Sequence, residues 1–246
     1  MTSRPPELMI VMPVYNEQDS IRTVIRDWFS ELLRVVDNFV MVAIDDGSHD
    51  GTLAILRELE SEFESKLEVI SRENRGHGQS CLQGYRVAAG RNIPFVFQID
   101  SDGQCDPQYF KRFWDLRDRF DVIYGKRTRE DGTRRILASL VLRSLLLLRF
   151  NANCIDPNVP YRLMRTQACS HALNAIPSDF FLANVALALL LRKSPGIRHG
   201  ELPIRFRERS GGEPSVPLSK FAEKALQLYR QLKALVDRGA FKSVAK

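Results

Sequence analysis

The chain has 246 residues, 44% of them apolar and 27% charged, which supports a folded core and excludes disordered and fibrous classes. No apolar run reaches the roughly 20 residues a membrane-spanning helix needs, and residues 1–7 lack the basic-then-apolar pattern of a secretory signal. Lys and Arg outnumber Asp and Glu by 36 to 30, a positive balance compatible with nucleotides, anionic lipid or nucleic acid that does not choose among them.

In chain order, residues 8–15 (LMIVMPVY) and 40–45 (VMVAID) read as buried strands. Between them, residues 20–36 repeat Ile21, Val24, Ile25, Phe29, Leu32 and Leu33 every three or four positions, and residues 53–63 repeat the pattern. Both stretches are expected to be crossover helices. Residues 67–71 (LEVIS) predict the next strand, 79–89 a helix, and 94–100 (PFVFQID) another buried strand. Strands alternating with helices in this way predict an α/β domain on a mostly parallel sheet.

The second half is less regular. A basic stretch at 126–135 precedes an apolar segment at 136–148, which is interrupted by Arg143 and reads either as a buried helix or as an interfacial one. A helix is expected at 182–192, a strand around 197–206, and a final helix from 218 to about 236. That last helix places Leu218, Phe221, Ala225, Leu228, Leu232 and Leu235 on one face and lysines and arginines elsewhere. It suits packing on the domain or docking on anionic lipid. The expected organisation is one domain over 1–217 with a basic amphipathic helix appended over 218–246.

Polar clusters follow the predicted strands: Asn16-Glu17, then Asp45 to Thr52 (DDGSHDGT), then Asp100-Ser101-Asp102. Ligands of open α/β sheets bind outside the carboxyl ends of the strands, so these clusters are expected to converge on one crevice. Asp100 and Asp102, two apart at a strand tip, suit one hard divalent cation that also takes diphosphate oxygens; equally, they terminate a strand while Asp106 caps the turn at Pro107. Asp46 suits a hydrogen bond to a ribose or base, with Asp50 or Thr52 capping the next helix. Asn74 to Ser80 (NRGHGQS) lacks the G-x-G-x-x-G spacing, and no G-K-[ST] occurs, which argues against dehydrogenase and P-loop readings. His49 and His77 read as local hydrogen-bonding residues, and Phe95 and Phe97 as core. The four cysteines are scattered without C-x-x-C pairs and read as reduced thiols of a cytosolic protein.

Four stretches, MPVYNE (12–17), DDGSHDGT (45–52), NRGHGQS (74–80) and QIDSDGQCDP (98–107), resemble in order and spacing the motifs of family 2 inverting glycosyltransferases. They are most similar to the dolichol-phosphate mannosyltransferase and polyprenyl-phosphate glycosyltransferase branch. The similarity continues more loosely through YGKR (124–127), DPNVPYRLMR (156–165), FLANVAL (181–187) and ELPIRFRERSGGEPS (201–215).

The resemblance implies a nucleotide-diphospho-sugar transferase (GT-A) fold with the donor across the strand ends. Pro13, Tyr15, Glu17, Ile44 and Asp46 would line base and ribose, with Asp100 beside them. Asp100 and Asp102, with Gln104 as third oxygen ligand, would hold Mg²⁺ or Mn²⁺, and Arg127 and Arg209 would contact phosphate.

Cleaving a glycosyl diphosphate builds negative charge on the leaving group, which a divalent cation and guanidinium groups stabilise. A polyprenyl phosphate acceptor is already anionic and needs cationic anchors; Arg134, Arg135 and Arg162 are the candidates. A hydroxyl acceptor would need a general base, for which Asp156 and Asp179 are candidates, although Asp179 also suits a helix cap. Where dolichol-phosphate mannosyltransferases often carry a Ser-Lys pair after Gly-Glu, this chain reads Gly212-Glu213-Pro214-Ser215, so a phosphate-binding lysine is missing there.

The reading is therefore a GDP- or UDP-sugar-dependent hexosyltransferase at the cytoplasmic membrane face, with peripheral membrane contact. The alternatives are a saccharide acceptor and a non-catalytic sugar-nucleotide binder. Nucleic-acid binding is not expected, since the basic residues are not interleaved with aromatics.

Overall fold

A computed structural model describes residues 5–127, 156–207 and 221–238. The first half alternates as its periodicity predicts: β1 (Leu8–Val14), α1 (Ile21–Val35), β2 (Phe39–Asp45), α2 (Thr52–Phe63), β3 (Leu67–Ser71), α3 (His77–Gly90) and β4 (Phe95–Gln98). A short helix α4 (Phe110–Asp115) and β5 (Val122–Arg127) follow. Then come β6 (Arg162–Arg165), α5 (Thr166–Ala175), α6 (Ala183–Lys193), β7 (His199–Ile204) and α7 (Phe221–Asp237). The apolar segment 136–148, the start of the last helix and Cys154 lie outside the described residues.

Among the described residues the strands form one seven-stranded sheet in the order β3-β2-β1-β4-β6-β5-β7, in which only β6 runs against the others. Every residue of β1 and β2 is buried, which is why these strands read as continuous apolar runs rather than alternating ones. Helices cover both faces. On α1, Ile21, Val24, Ile25, Trp28, Phe29 and Leu32 form the buried stripe, whereas Leu33, expected on that face, is 56% exposed. At about 100° per residue, position 33 rotates off the stripe that 25, 28 and 32 define.

Sequence periodicity missed β5, β6, α4 and α5. The strands are short, with six and four residues, and end in Lys126-Arg127 and Arg165, so they carry charge where a buried strand would be apolar. On α7, Leu228, Leu232 and Leu235 are buried, and Gln231 accepts the Phe181 N–H (2.9 Å) and donates to the Asp179 carbonyl (3.2 Å). That face of the helix therefore packs on the domain. Among the described residues no helix is long and apolar enough to cross a membrane. Cys81, Cys105 and Cys169 are free and buried.

One buried titratable group couples stability to pH. His199 stacks on Tyr124 (centroids 6.2 Å apart, planes at 10°), its Nε2 lies 3.3 Å from the Leu191 carbonyl, and among the described residues its Nδ1 has no hydrogen-bond partner. Burial, then the Arg192 guanidinium, lower its pKa from 6.5 to about 4. The unfolded chain therefore takes up a proton that the folded ring refuses. Stability is full above pH 6.5, declines as pH falls toward 4, and levels below it. Urea midpoints from pH 7.5 to 4 should show His199→Phe losing about 2 kcal/mol less than wild type across that window, the full effect of about 3 kcal/mol being reduced by solvent screening at the half-buried ring. Parallel pH profiles would disprove this.

Candidate active site

The connection from β1 through β2 to β3 builds one side of the sheet, and β4 then returns to the other side of β1. A crevice opens at such a reversal of strand order, above the carboxyl ends. Register sets what stands there. Val14 pairs with Asp45, and Gln98 pairs with Val11, so the chain beyond Gln98 rises beside the tip of β1. The Ile99 N–H donates to the Val11 carbonyl (3.1 Å), which carries the alignment one residue past β4 and leads the chain that bears Asp100 and Asp102 out toward the tip of β1.

The β1–α1 and β2–α2 loops are laced together. Asn16, in a left-handed conformation (φ 53°), accepts the His49 N–H (2.9 Å) and donates its own N–H to Ser48 Oγ (3.0 Å). Thr52 Oγ1 accepts the Glu17 N–H (2.8 Å), while the Thr52 N–H is taken by Asp50 (3.0 Å). Gly47 turns the loop at φ 74°, where a Cβ would meet the Asn74 nitrogen at 2.8 Å, so only glycine fits.

Of the expected donor-lining residues, Tyr15 is 43% exposed at the rim, edge-on to His49 at 6.3 Å. Pro13 and Ile44 are buried and face each other in the β1–β2 register. Glu17 is buried and accepts the Ser20 hydroxyl (2.9 Å) at the start of α1. Asp46 differs from expectation most. Its buried Oδ1 accepts Nε and Nη2 of Arg72 (2.9 and 2.7 Å) and the Arg75 N–H (3.0 Å), and its Oδ2 accepts the Gly76 N–H (2.7 Å). A carboxylate has about four acceptor positions, and these four hydrogen bonds match that number, so Asp46 organises the loop after β3.

Asp100 is 27% exposed at its side chain and receives His77 Nε2 (2.8 Å) and Gln98 Nε2 (2.9 Å), both on Oδ1. Asp102 Oδ1 accepts the Gln104 N–H (3.1 Å). Gln104 in turn donates through Nε2 to the Arg207 carbonyl (3.4 Å), which leaves its Oε1 to act as an acceptor. Among the described residues no group of three or more His, Cys, Asp or Glu side chains is arranged to hold a metal. Two carboxylates and a carboxamide oxygen are nevertheless the hard donors that Mg²⁺ and Mn²⁺ prefer, and both ions commonly complete their shells with phosphate and water oxygens. The donor set therefore fits such an ion.

The second half supplies cations. Arg127, at the tip of β5, forms an ion pair with Asp156 (Nε to Oδ2 3.1 Å) in which the Nε–H makes no aligned hydrogen bond among the described residues, and its guanidinium lies over the Phe206 ring. Arg207 bridges Asp27 (3.0 Å) and Asp106 (2.8 Å), which fixes the strand exit beside the turn that carries Gln104. Asp106 also caps that turn, accepting the Gln108 N–H, as expected. Arg209, Arg134, Arg135 and Gly212 to Ser215 lie outside the described residues.

Two expectations are corrected. Arg162, expected to anchor an acceptor phosphate, is fully buried. It donates to the carbonyls of Pro157, Val159 and Asn184, so its charge is turned into the protein. Asp179 does not cap the following helix: α6 begins at Ala183 after Leu182, with no side-chain cap.

Sequence reading missed Arg72, Arg207, Gln98, Asn184 and the His77–Asp100 contact. Gln98 and Asn184 did leave a signal, because a carboxamide inside an otherwise apolar strand or helix must find a partner there. The arginines left none, since their acidic partners lie 26 to 180 residues away in sequence.

A family model described as glycosyl transferase family 2 matches residues 9–172. The chain is 26% identical over 214 residues to an undecaprenyl-phosphate 4-deoxy-4-formamido-L-arabinose transferase from Edwardsiella ictaluri, covering 86% of this chain and 63% of that protein. It is 25% identical over 232 residues to a polyprenol monophosphomannose synthase from Mycolicibacterium smegmatis, covering 90% and 86%.

Among solved structures, the fold matches glucosyl-3-phosphoglycerate synthase from Mycobacterium tuberculosis in complex with Mn²⁺, UDP-glucose and phosphoglyceric acid. The TM-score is 0.65 at 19% identity, over 94% of this chain and 79% of that one. It also matches a mannosyltransferase from Pyrobaculum calidifontis in complex with GDP-mannose and Mn²⁺ (TM-score 0.62, 17% identity, 99% and 70% covered). The architecture is thus the GT-A fold.

Proposed function

Because the chain belongs to glycosyl transferase family 2, we propose that it is a metal-dependent inverting glycosyltransferase that moves a hexose from a nucleotide-diphosphate sugar to a polyprenyl phosphate. The observation that carries this reading is the pair Asp100 and Asp102, raised beside the tip of β1 where the strand order reverses. The relatives are named for polyprenyl-linked acceptors, and two solved neighbours were crystallised with nucleotide sugar and Mn²⁺, which supports donor and acceptor class alike.

In this reading Asp100, Asp102 and the Gln104 carboxamide oxygen hold Mg²⁺ or Mn²⁺. When bound, the ion neutralises charge on the departing diphosphate. Pro13, Tyr15, Glu17, Ile44 and Asp46 shape the end of the crevice that takes base and ribose. Arg127, and Arg209 from the segment after β7, add guanidinium donors toward the leaving group.

A phosphate acceptor attacks the anomeric carbon without surrendering a proton, so no general base is needed. This agrees with Asp156 being engaged by Arg127 and with Asp179 being exposed beside α7. Arg134 and Arg135 serve as acceptor anchors. The transferase domain is assigned to 1–217 and the appended helix to 218–246, with the enzyme meeting its lipid at the cytoplasmic membrane face by peripheral contact.

Calorimetry with GDP-mannose, UDP-glucose and UDP-N-acetylglucosamine, each with and without Mn²⁺, tests the donor side. One donor is expected to bind at least about tenfold tighter with the ion, by roughly 1.4 kcal/mol. That donor should then yield a lipid-linked hexose on undecaprenyl phosphate. Tight nucleotide binding with neither transfer nor donor hydrolysis would make the protein a binder instead.

A further inference from the structure

Beneath the candidate metal-binding aspartate the side chains close a ring. Asp100 Oδ1 takes a hydrogen bond from His77 Nε2 (2.8 Å), and Cys81 Sγ lies almost equally far from the two ring nitrogens of His77, 3.8 Å from Nδ1 and 3.9 Å from Nε2. Cys81 Sγ receives Asn184 Nδ2 (3.7 Å), and the same amide reaches Gln98 Oε1 (3.3 Å). Gln98 Nε2 returns to Asp100 Oδ1 (2.9 Å). Tyr85 Oη donates to Asn184 Oδ1 (2.7 Å) and so fixes which way that amide faces. Burial pushes the Tyr85 phenol well above its ordinary pKa, so it stays a donor.

The members come from α3, β4 and α6, and Gln98, Cys81, Tyr85 and Asn184 are essentially buried. The approach of α3 to the start of α6 depends on Gly78, where a Cβ would meet the Phe181 carbonyl oxygen at 2.6 Å.

Each contact constrains the next. With Nε2 2.8 Å from a carboxylate oxygen, which can only accept, the imidazole presents its Nε2–H to Asp100, an assignment that follows from that contact. Both donors fall on Oδ1, and among the described residues no hydrogen bond reaches Oδ2. The carboxylate is thereby held from below by one oxygen while the other remains for a ligand. Partners of this kind orient metal-binding groups in many sites, and their loss typically weakens metal affinity 10- to 100-fold.

We propose that His77 is a positioning residue for the donor-site cation, acting through Asp100 as the solvent-facing member of the Asp100–His77–Cys81–Asn184–Gln98 ring. The inference rests on the reading that Asp100 binds a divalent ion. It adds that a histidine which touches neither ion nor sugar sets how well the ion is held, and that α6 in the second half of the chain participates through Asn184.

The test is Mn²⁺ binding to the full chain with UDP and with GDP, followed by electron paramagnetic resonance, alongside thermal unfolding. His77→Ala is expected to weaken Mn²⁺ binding 10- to 100-fold while the unfolding temperature and metal-free nucleotide affinity stay near wild type. His77→Gln, whose amide can still donate to Oδ1, should recover most of the loss. Cys81→Ala, which cannot reach Asp100, should give a smaller loss of the same sign. Equal Mn²⁺ affinity in wild type and His77→Ala overturns the positioning role alone. Absence of Mn²⁺ binding in wild type overturns the two-aspartate site and this inference with it.

Discussion

Asp102→Asn is expected to lower metal-dependent turnover by about 10²- to 10³-fold, the range seen when one group aimed at developing transition-state charge is removed. The substitution keeps the shape of the side chain and retains an oxygen to accept the Gln104 N–H at 3.1 Å, so the turn between β4 and α4 should survive. What is lost is the negative charge. A carboxamide is a far weaker ligand for Mg²⁺ or Mn²⁺ than a carboxylate, and Asp100 alone would have to balance the ion. Steady-state kinetics over a Mn²⁺ titration, paired with a thermal melt, measures both parts. Turnover within a factor of two of wild type, from a protein that melts normally, would remove Asp102 from the site.

Arg162→Met is expected to destabilise the fold by about 3 kcal/mol or more without altering acceptor affinity in the protein that remains folded. The guanidinium is 0% exposed and holds the carbonyls of Pro157 (2.8 Å), Val159 (3.2 Å) and Asn184 (3.3 Å), with the Tyr124 ring 5.3 Å away. Each carbonyl left buried without a donor costs roughly 1–3 kcal/mol, and methionine offers none. The arginine also ties the 157–159 loop, and hence Asp156 opposite Arg127, to β6 and α6. Urea midpoints and acceptor binding separate the two roles. Undiminished stability with weakened lipid-phosphate binding would restore the anchoring role that the sequence suggested.

The contrast between these two residues shows how far pattern reading reaches. The place of Asp102 in the loop just after β4 was legible because its spacing from Asp100 and its position after an apolar run are local features of the chain. Arg162 was misplaced because its surroundings are assembled from 157–159, 184 and the Tyr124 ring, which no window of sequence contains. Asp46 falls between. Its position at the end of β2 was readable, but the partner that occupies it, Arg72, is 26 residues on and belongs to another strand exit.

The amino-acid sequence by itself determined the alternation of elements through β4, the parallel half of the sheet and the convergence of three polar clusters. Hydrophobic period and strand-end chemistry are properties of neighbours along the chain, and they survive any arrangement of the remainder. Only the tertiary structure decided that β6 inserts antiparallel between β4 and β5, that Arg162 faces inward, and that Asp100 stands on a ring drawn from α3, β4 and α6. Hydrogen bonds between distant side chains depend on distance and direction in space, and those exist only once the elements have packed.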